Sequence, residues 1–114
     1  MSDIKQPGGL QSGGLQPGGL EMTTFQLEKG KTYQDFIEAN ADVDTWLKKQ
    51  PGFQSRHIAQ RRDGTIVDAL IWDSEKQGTD AMHRLMDELA NSPVHDVIDQ
   101  GTVSWKIYPI YHQI

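Results

Sequence analysis

The stretch FQSRHIAQRRDGTIVDALIWD, residues 53–73, decides the fold. Two runs of mixed apolar and polar residues flank Asp63-Gly64. An Asp-Gly pair is typical of the two-residue turn of a β-hairpin, because both positions of that turn need positive φ. We therefore predict a hairpin of two strands, Phe53–Arg62 and Thr65–Asp73, in which the last residue of the first strand pairs with the first residue of the second.

This register places His57 opposite Leu70 and diagonal to Asp68 and Trp72, within side-chain reach. A histidine, a carboxylate and a large aromatic side chain on one face are typical of a pocket lining, so we predict that helices leave this face uncovered. The compact aliphatic side chains of the second strand, on the opposite face, are expected to pack beneath the helices. The predicted pocket residues of the hairpin are Ser55, His57, Arg61, Ile66, Asp68, Leu70 and Trp72.

His57 and Asp68 form the candidate catalytic pair. A carboxylate beside an imidazole raises the imidazole pKa and fixes its tautomer, which gives a general base near neutral pH. The alternative interpretation is a cross-strand ion pair at a dimer interface. Trp72 is either an aromatic wall for a ligand or a core or interface residue.

The flanking segments complete the fold prediction. A short strand at Thr23–Leu27 precedes a helix that Thr32 caps, a second helix begins after Ser74, and the last strand covers Thr102–Ile110. The order strand, helix, strand, strand, helix, strand is that of the ferredoxin-like α+β plait, a four-stranded antiparallel sheet with both helices on one face. The bare sheet face needs a cover, and a second copy of the chain is the simplest one, so we predict a homodimer.

The N-terminal segment differs in composition from the rest of the chain. Residues 6–20 repeat Gln-Pro-Gly-Gly-Leu with one Ser in place of Pro. Such a segment buries little and loses much backbone entropy on ordering, so we predict a flexible tail over residues 1–21 and a domain over residues 22–114. Two alternatives are a start at Met22 and a docking role for the repeat leucines, Leu10, Leu15 and Leu20.

Composition excludes several classes of function. The chain has 114 residues with 11 Lys plus Arg against 16 Asp plus Glu, and a net charge of -5 argues against nucleic acid or an anionic membrane as partner. It has no cysteine, hence no disulfide or thiolate metal site, and its histidines lack metal-ligand spacing, so we predict no metal. The longest apolar run, Ala69–Trp72, is far too short to span a membrane, and no signal peptide is apparent, so a cytoplasmic location is expected.

Four short motifs together resemble the antibiotic biosynthesis monooxygenase family over residues 22 to about 110. They are Gln50-Pro51-Gly52-Phe53, Asp63-Gly64, Ile71-Trp72-Asp73-Ser74-Glu75 and Asn91-Ser92-Pro93. The resemblance implies a dimeric α/β barrel, in which two plaits bring their open sheet faces together around cavities.

The same resemblance implies three possible functions. Some relatives oxygenate aromatic phenols with O2 and no flavin or metal, using a cavity tryptophan that matches Trp72 and polar partners that include Asn; the predicted strands of this chain contain no Asn. From the resemblance as a whole we expect a cofactor-independent monooxygenase acting on a small aromatic or quinol-like compound, with His57 as base. The alternatives are a non-catalytic barrel that binds a small hydrophobic or aromatic ligand, and a protein that binds or degrades haem through a histidine such as His95.

Overall fold

A computed structural model describes residues 16–114 and contains the predicted α+β plait. Four antiparallel strands lie in the order β2-β3-β1-β4, which is the strand order of the ferredoxin-like fold and puts β4, with Pro109, at an edge. The elements are β1 (Gly18–Phe25), α1 (Tyr33–Ala39), α2 (Ala41–Leu47), β2 (Phe53–Gln60), β3 (Ile66–Trp72), α3 (Glu75–Glu88), α4 (Val94–Val97) and β4 (Ser104–Ile110).

Local sequence signals set the helix boundaries. Thr32 Oγ1 accepts from the Asp35 backbone N at 3.1 Å, and Asp35 Oδ2 accepts from the Thr32 backbone N at 2.8 Å, so α1 begins with a reciprocal capping box. The chain leaves α1 at Asn40 and continues as α2, which places Trp46 on a second helical segment. Ser74 caps α3 by accepting from the Gln77 backbone N at 3.2 Å.

The helices cover the β3 residues that the sequence analysis predicted to lie on the bare face, whereas Ser55 and His57 of β2 do lie on the uncovered side. On β3, Ile66, Asp68, Leu70 and Trp72 are buried beneath the helices, whereas the alternate residues are only half-buried on the opposite side. We call these the inner face and the outer face of the sheet. The inner face has room for the large indole because α3 carries Gly78 there: a Cβ on Gly78 would lie 2.7 Å from Trp72 Cδ1.

The predicted hairpin register is also wrong, by one residue. Arg61 N donates to Thr65 O at 2.8 Å and Gly64 N donates to Arg61 O at 2.9 Å, so the loop comprises residues 62–64 and has one residue more than the predicted turn. Gly64 has a φ of 95°, as in a type I turn followed by a left-handed glycine and a bulge. As a result His57 pairs with Ala69, and its side chain lies on the outer face.

The first strand begins earlier than predicted. β1 starts at Gly18, so residues 18–21 belong to the sheet and not to a tail. Gly19 pairs with both Trp72 and Pro109, and a Cβ at this position would lie 2.9 Å from the backbone of Ser74 and Glu75. Leu20 lies on the outer face of β1, while the predicted tail up to residue 15, with Leu10 and Leu15, lies outside the described residues.

The outer face is apolar at its centre and carries no carboxylate. Sheet alternation assigns to it Gly18, Leu20, Met22, Thr24, Ser55, His57, Ala59, Val67, Ala69, Ile71, Ser104, Lys106, Tyr108 and Ile110. The absence of acidic side chains stands out in a chain with 16 of them. Among the described helices, none combines the length and apolar character that crossing a bilayer requires.

Candidate functional site

A cavity of about 320 Å³ lies between the inner face and the helices. Its walls are mostly apolar, with aromatic side chains from both the sheet and the helices. Trp72 forms part of the floor and is 1% exposed, with the ring of Phe53 packed edge-on against it at a centroid distance of 5.5 Å. The aromatic residues that line the cavity are Phe25, Phe36, Trp46, Trp72 and Trp105.

Glu21 is the polar centre of the cavity floor. It extends from β1 between two neighbouring strands and is 7% exposed. Its Oε1 accepts the indole N–H of Trp72 at 2.7 Å, and its Oε2 accepts the indole N–H of Trp105 at 2.6 Å. Register explains the arrangement, because Glu21 is the Cα partner of Leu70 on β3 and of Ile107 on β4, each two residues from one of the tryptophans.

Burial raises the pKa of Glu21 above the ordinary carboxyl range. The indole donors of Trp105 and Trp72 lower the pKa, the negative charge of Asp68 raises it, and the positive charge of Arg56 lowers it. Burial outweighs the donors, since two neutral N–H groups replace only part of the hydration that an ionised carboxylate loses. Glu21 can therefore change its protonation state closer to neutral pH than an exposed glutamate.

A second polar group beside the cavity is a buried ion pair. Arg56 Nε donates to Asp68 Oδ1 at 3.0 Å and Nη2 donates to Oδ2 at 2.7 Å, while Nη1 reaches Asp44 Oδ1 at 2.9 Å. Burial lowers the pKa of Arg56, but the hydrogen bonds and charges of Asp68 and Asp44 outweigh burial and raise it. Both oxygens of Asp68 are thus occupied by a cation that stays charged.

Asn40 contributes an unused acceptor. It lines the cavity at the junction of α1 and α2, and its Nδ2 donates to Phe36 O at 2.7 Å. Its Oδ1 is buried and has no hydrogen-bond partner, and no other buried side-chain nitrogen or oxygen of the described residues lacks one. Such a group is costly in a folded protein unless a ligand or water can supply a donor.

The structure divides the predicted site residues into two groups. Asp68, Leu70 and Trp72 line the cavity, and Ile66 is buried on the same inner face. Ser55 and His57 lie on the outer face, and Arg61 is exposed beside the hairpin loop, where its Nη2 lies 3.3 Å from Asp63 Oδ2.

The predicted contact between His57 and Asp68 is therefore wrong. The two side chains point to opposite sides of the sheet because of the longer loop, and Arg56 occupies the position beside Asp68. For His57 to act in the cavity, its imidazole would have to reach through the sheet.

Sequence reasoning missed Glu21, Arg56 and Asn40. Glu21 fell within the predicted tail, although the alternation of Gly19, Glu21, Thr23 and Phe25 continues the predicted first strand towards the N-terminus. The register error separated Arg56 from Asp68, because it placed the two side chains on opposite faces of the sheet. The position of Asn40 depends on how α2 continues from α1, which the sequence does not indicate.

No metal site is evident in residues 16–114, and the histidine that lines the cavity is already hydrogen-bonded. No group of three His, Asp or Glu side chains could hold a metal ion there. His95 lines the cavity, but its Nε2 lies 2.8 Å from Leu89 O and is engaged in a hydrogen bond with that carbonyl.

No protein-family model and no curated protein sequence matches the chain. Several solved structures do match the chain. SnoaB, a cofactor-independent oxygenase from Streptomyces nogalater, is 13% identical, with 86% of this chain and 97% of that chain covered at a TM-score of 0.67. A protein from Nitrosomonas europaea assigned as an antibiotic biosynthesis monooxygenase is 16% identical, with 85% and 93% covered at a TM-score of 0.67.

A third similar structure contains a ligand. The monooxygenase of the gene ActVA-Orf6 of Streptomyces coelicolor, solved in complex with nanaomycin D, is 22% identical. The match covers 86% of this chain and 91% of that chain at a TM-score of 0.59. The chain thus has the fold of the antibiotic biosynthesis monooxygenases, which confirms at the level of fold the resemblance found in its sequence.

Proposed function

We propose that this protein is a monooxygenase that oxidises a small aromatic or quinol-like compound with O2, without a cofactor, in the cavity above the inner face. One observation carries the proposal: an apolar cavity whose floor combines two indole rings with a buried carboxylate, Glu21. The fold shared with a cofactor-independent oxygenase supports it.

The cavity has properties that suit this substrate class. Its volume of about 320 Å³ is at the lower end of the range for small-molecule sites, which favours a compound of one or two rings. Trp72 and Trp105 supply aromatic surface for an aromatic ligand. Of the predicted ligand-contacting residues, we propose that Leu70 and Trp72, which line the cavity, contact the ligand. Ser55 and Arg61 do not line the cavity and are not part of the proposed site.

In a reaction without a cofactor, the organic substrate must supply the electrons that reduce O2. An ionised phenol or quinol is a better electron donor than its neutral form, so removal of a proton activates it. The contribution of the protein is to bind and orient the ring, to stabilise or accept the proton, and to exclude water from the reacting atoms.

The outer face completes the proposed assembly. We propose that it binds the outer face of a second copy, which gives the dimeric α/β barrel. Leu20, Met22, Ala69 and Ile71 form its apolar centre, and it lacks the acidic residues that are depleted at the core of protein interfaces. A stable interface of this type usually buries on the order of 2,000 Å² or more.

Oxygen uptake tests the proposed activity. We expect the purified protein to consume O2 with at least one member of a panel of phenols and quinols, and a chelator should leave the rate unchanged. Leu85→Trp, which fills the cavity from α3, should abolish uptake, whereas His57→Ala on the outer face should retain it. If compounds bind but no member of the panel is oxidised, the protein is the non-catalytic barrel instead.

A haemin titration tests the haem alternative. We expect no shift of the Soret band when haemin is added, because the Nε2 of His95 is engaged with a backbone carbonyl. A stoichiometric shift that His95→Gln removes would favour haem binding over the proposed oxygenase.

A further inference from the structure

Glu21 has an unusual setting for a carboxylate. In the part of the chain that the structure describes, none of the ion pairs includes it, whereas the other buried carboxylate of the inner face, Asp68, is held bidentately by Arg56. Its two oxygens meet neutral indole donors instead. A carboxylate of this kind pairs directly with no cation and has lost most of its contact with solvent, so its charged state is less stable than that of an exposed glutamate.

We infer that Glu21 is the acid–base residue of the cavity, which removes the hydroxyl proton of the bound phenol or quinol. This inference rests on the proposed function and adds the residue that activates the substrate. The geometry supports it in two ways. Glu21 lies at the cavity floor, and each oxygen accepts one indole N–H, which leaves further lone pairs on both oxygens for a substrate hydroxyl.

The proton-transfer step balances without any other group. The O–H bond of the substrate breaks, an O–H bond forms on Glu21, and the electron pair remains on the substrate oxygen. The substrate anion then gives one electron to O2, the oxidant of the proposed function, and the resulting substrate radical and superoxide combine to form a C–O bond. Protonated Glu21 returns its proton to the outer oxygen of this peroxide, which regenerates the carboxylate. Loss of water from the hydroperoxide breaks the O–O bond and leaves one oxygen atom on the substrate carbon, which is oxidised to a carbonyl.

Trp72 and Trp105 act as positioning residues in this scheme. Their N–H groups hold the carboxylate in one orientation and partly stabilise its charge. Loss of either donor should disfavour the ionised form of Glu21 and raise its pKa. The acid limb of the pH–rate profile, along which the base becomes ionised, should then move to higher pH.

Other charged groups around the cavity must be considered in any pH profile. Asp68 on β3 and Arg56 on β2 face Glu21 with opposite charges, and Asp44 on α2 fixes Arg56. His95 on α4 also lines the cavity. His95→Gln is therefore the control that separates any effect of His95 on the pH profile from that of Glu21.

Substrate acidity provides the decisive experiment. Enzyme-dependent O2 uptake is measured with hydroquinone, which is neutral at neutral pH, and with tetrachlorohydroquinone, which is largely ionised. Glu21→Gln should lower the rate with hydroquinone by about 100-fold or more, the usual scale for a general base. The rate with the ionised compound should stay within about fivefold of wild type, because that compound needs no base.

A second variant covers the possibility that Glu21→Gln does not fold. Trp105→Phe should move the acid limb for hydroquinone to higher pH. Trp46→Phe is its matched control, since Trp46 also lines the cavity but donates its indole N–H to Glu88 at 2.9 Å, and it should not move the limb.

Several outcomes distinguish the two claims. Equal losses of rate with both compounds in a folded Glu21→Gln protein would overturn the role of Glu21 but not the proposed oxygenase activity. An acid limb that moves with His95→Gln but not with Trp105→Phe would have the same meaning. Absence of uptake by the wild-type protein with every phenol and quinol would overturn the proposed function itself.

Discussion

The two faces of the sheet differ in a way that runs against simple expectation. The inner face, buried beneath helices, carries charged Glu21, Arg56 and Asp68, whereas the outer face has an aliphatic centre and is only half-buried. The charges can be buried because each has a partner, a guanidinium for Asp68 and two indoles for Glu21. Polarity therefore does not reveal which face the helices cover. The aliphatic centre of the outer face fits the proposed contact with a second copy of the chain.

Removal of residues 1–21 should have the largest effect, because it deletes the start of β1 and Glu21 with it. Ladder pairs to both β3 and β4 would be lost, together with the two indole hydrogen bonds. A loss of several kcal/mol corresponds to a fall of about 15 °C or more in Tm for a domain of this size. The control is removal of residues 1–15, which should change Tm by less than about 3 °C. Equal Tm values for the two truncations in calorimetry would contradict the assignment of residues 18–21 to the sheet.

A charge on the outer face should separate the proposed dimer. Ala69 lies at the centre of that face, and Ala69→Glu would bury an unpaired carboxylate in the interface. We expect light scattering at micromolar concentration to give a dimer mass for wild type and a monomer mass for the variant. Ala90→Glu, at an exposed position just after α3, is the matched control and should remain dimeric. A monomeric wild-type protein would show that the outer face has no such partner.

Alanine substitutions at Gly18 and Gly19 test the two faces of the sheet at neighbouring positions of β1. A Cβ on Gly19 would meet the backbone of Ser74 and Glu75 at 2.9 Å, and backbone cannot move aside as a side-chain end can. Gly19→Ala should therefore cost about 2 to 3 kcal/mol in the free energy of unfolding, the scale of an overpacked core. Gly18→Ala meets Trp72 O at 3.2 Å and should change stability by less than about 1 kcal/mol. Urea unfolding of both variants checks this, and a larger loss for Gly18→Ala would reverse the assignment of the two positions.

The pH dependence of stability should show the smallest effect. Because the pKa of Glu21 is raised in the folded state, the folded protein holds the proton more tightly than the unfolded chain. This contribution to the free energy of unfolding is present below the ordinary carboxyl pKa and is lost as pH rises through the raised value. The stability of wild type relative to Glu21→Gln should thus fall as pH rises.

Comparison with the variant is needed because other carboxylates act in the opposite direction. Hydrogen bonds lower the pKa of Asp35, Asp63 and Asp80, so their contribution to stability is lost as pH falls. They are present in both proteins and cancel in the difference. A relative stability that rises with pH would mean that Glu21 has a lowered pKa.

The sequence predicted the order of the elements and their caps because those signals are local. Thr32 with Asp35 and Ser74 with Gln77 each act within one helical turn, and they lie where the sequence placed them. Trp72, which the resemblance matches to a cavity tryptophan, does line a cavity, but on the face that the helices cover.

The faces of the hairpin could not be predicted, because they depend on a single residue in a loop. Asp63-Gly64 fits either a two-residue turn or the longer loop with a left-handed Gly64. The choice decides which side chains of β2 share a face with those of β3. Glu21 was missed because the glycine repeat before it has the composition of a tail. Only the close approach of α3 to Gly19 shows why glycine is required at the start of the strand.

A ligand titration followed by NMR tests most directly whether the inner face holds the functional site. Hydroquinone is added to the labelled protein without O2, and the indole N–H signals of Trp72 and Trp105 are recorded together with the imidazole signals of His57. We expect saturable shifts of both indole signals, which come from the cavity, and no change at His57 on the outer face. Shifts at His57 with both indole signals unchanged would show that the inner face does not hold the functional site.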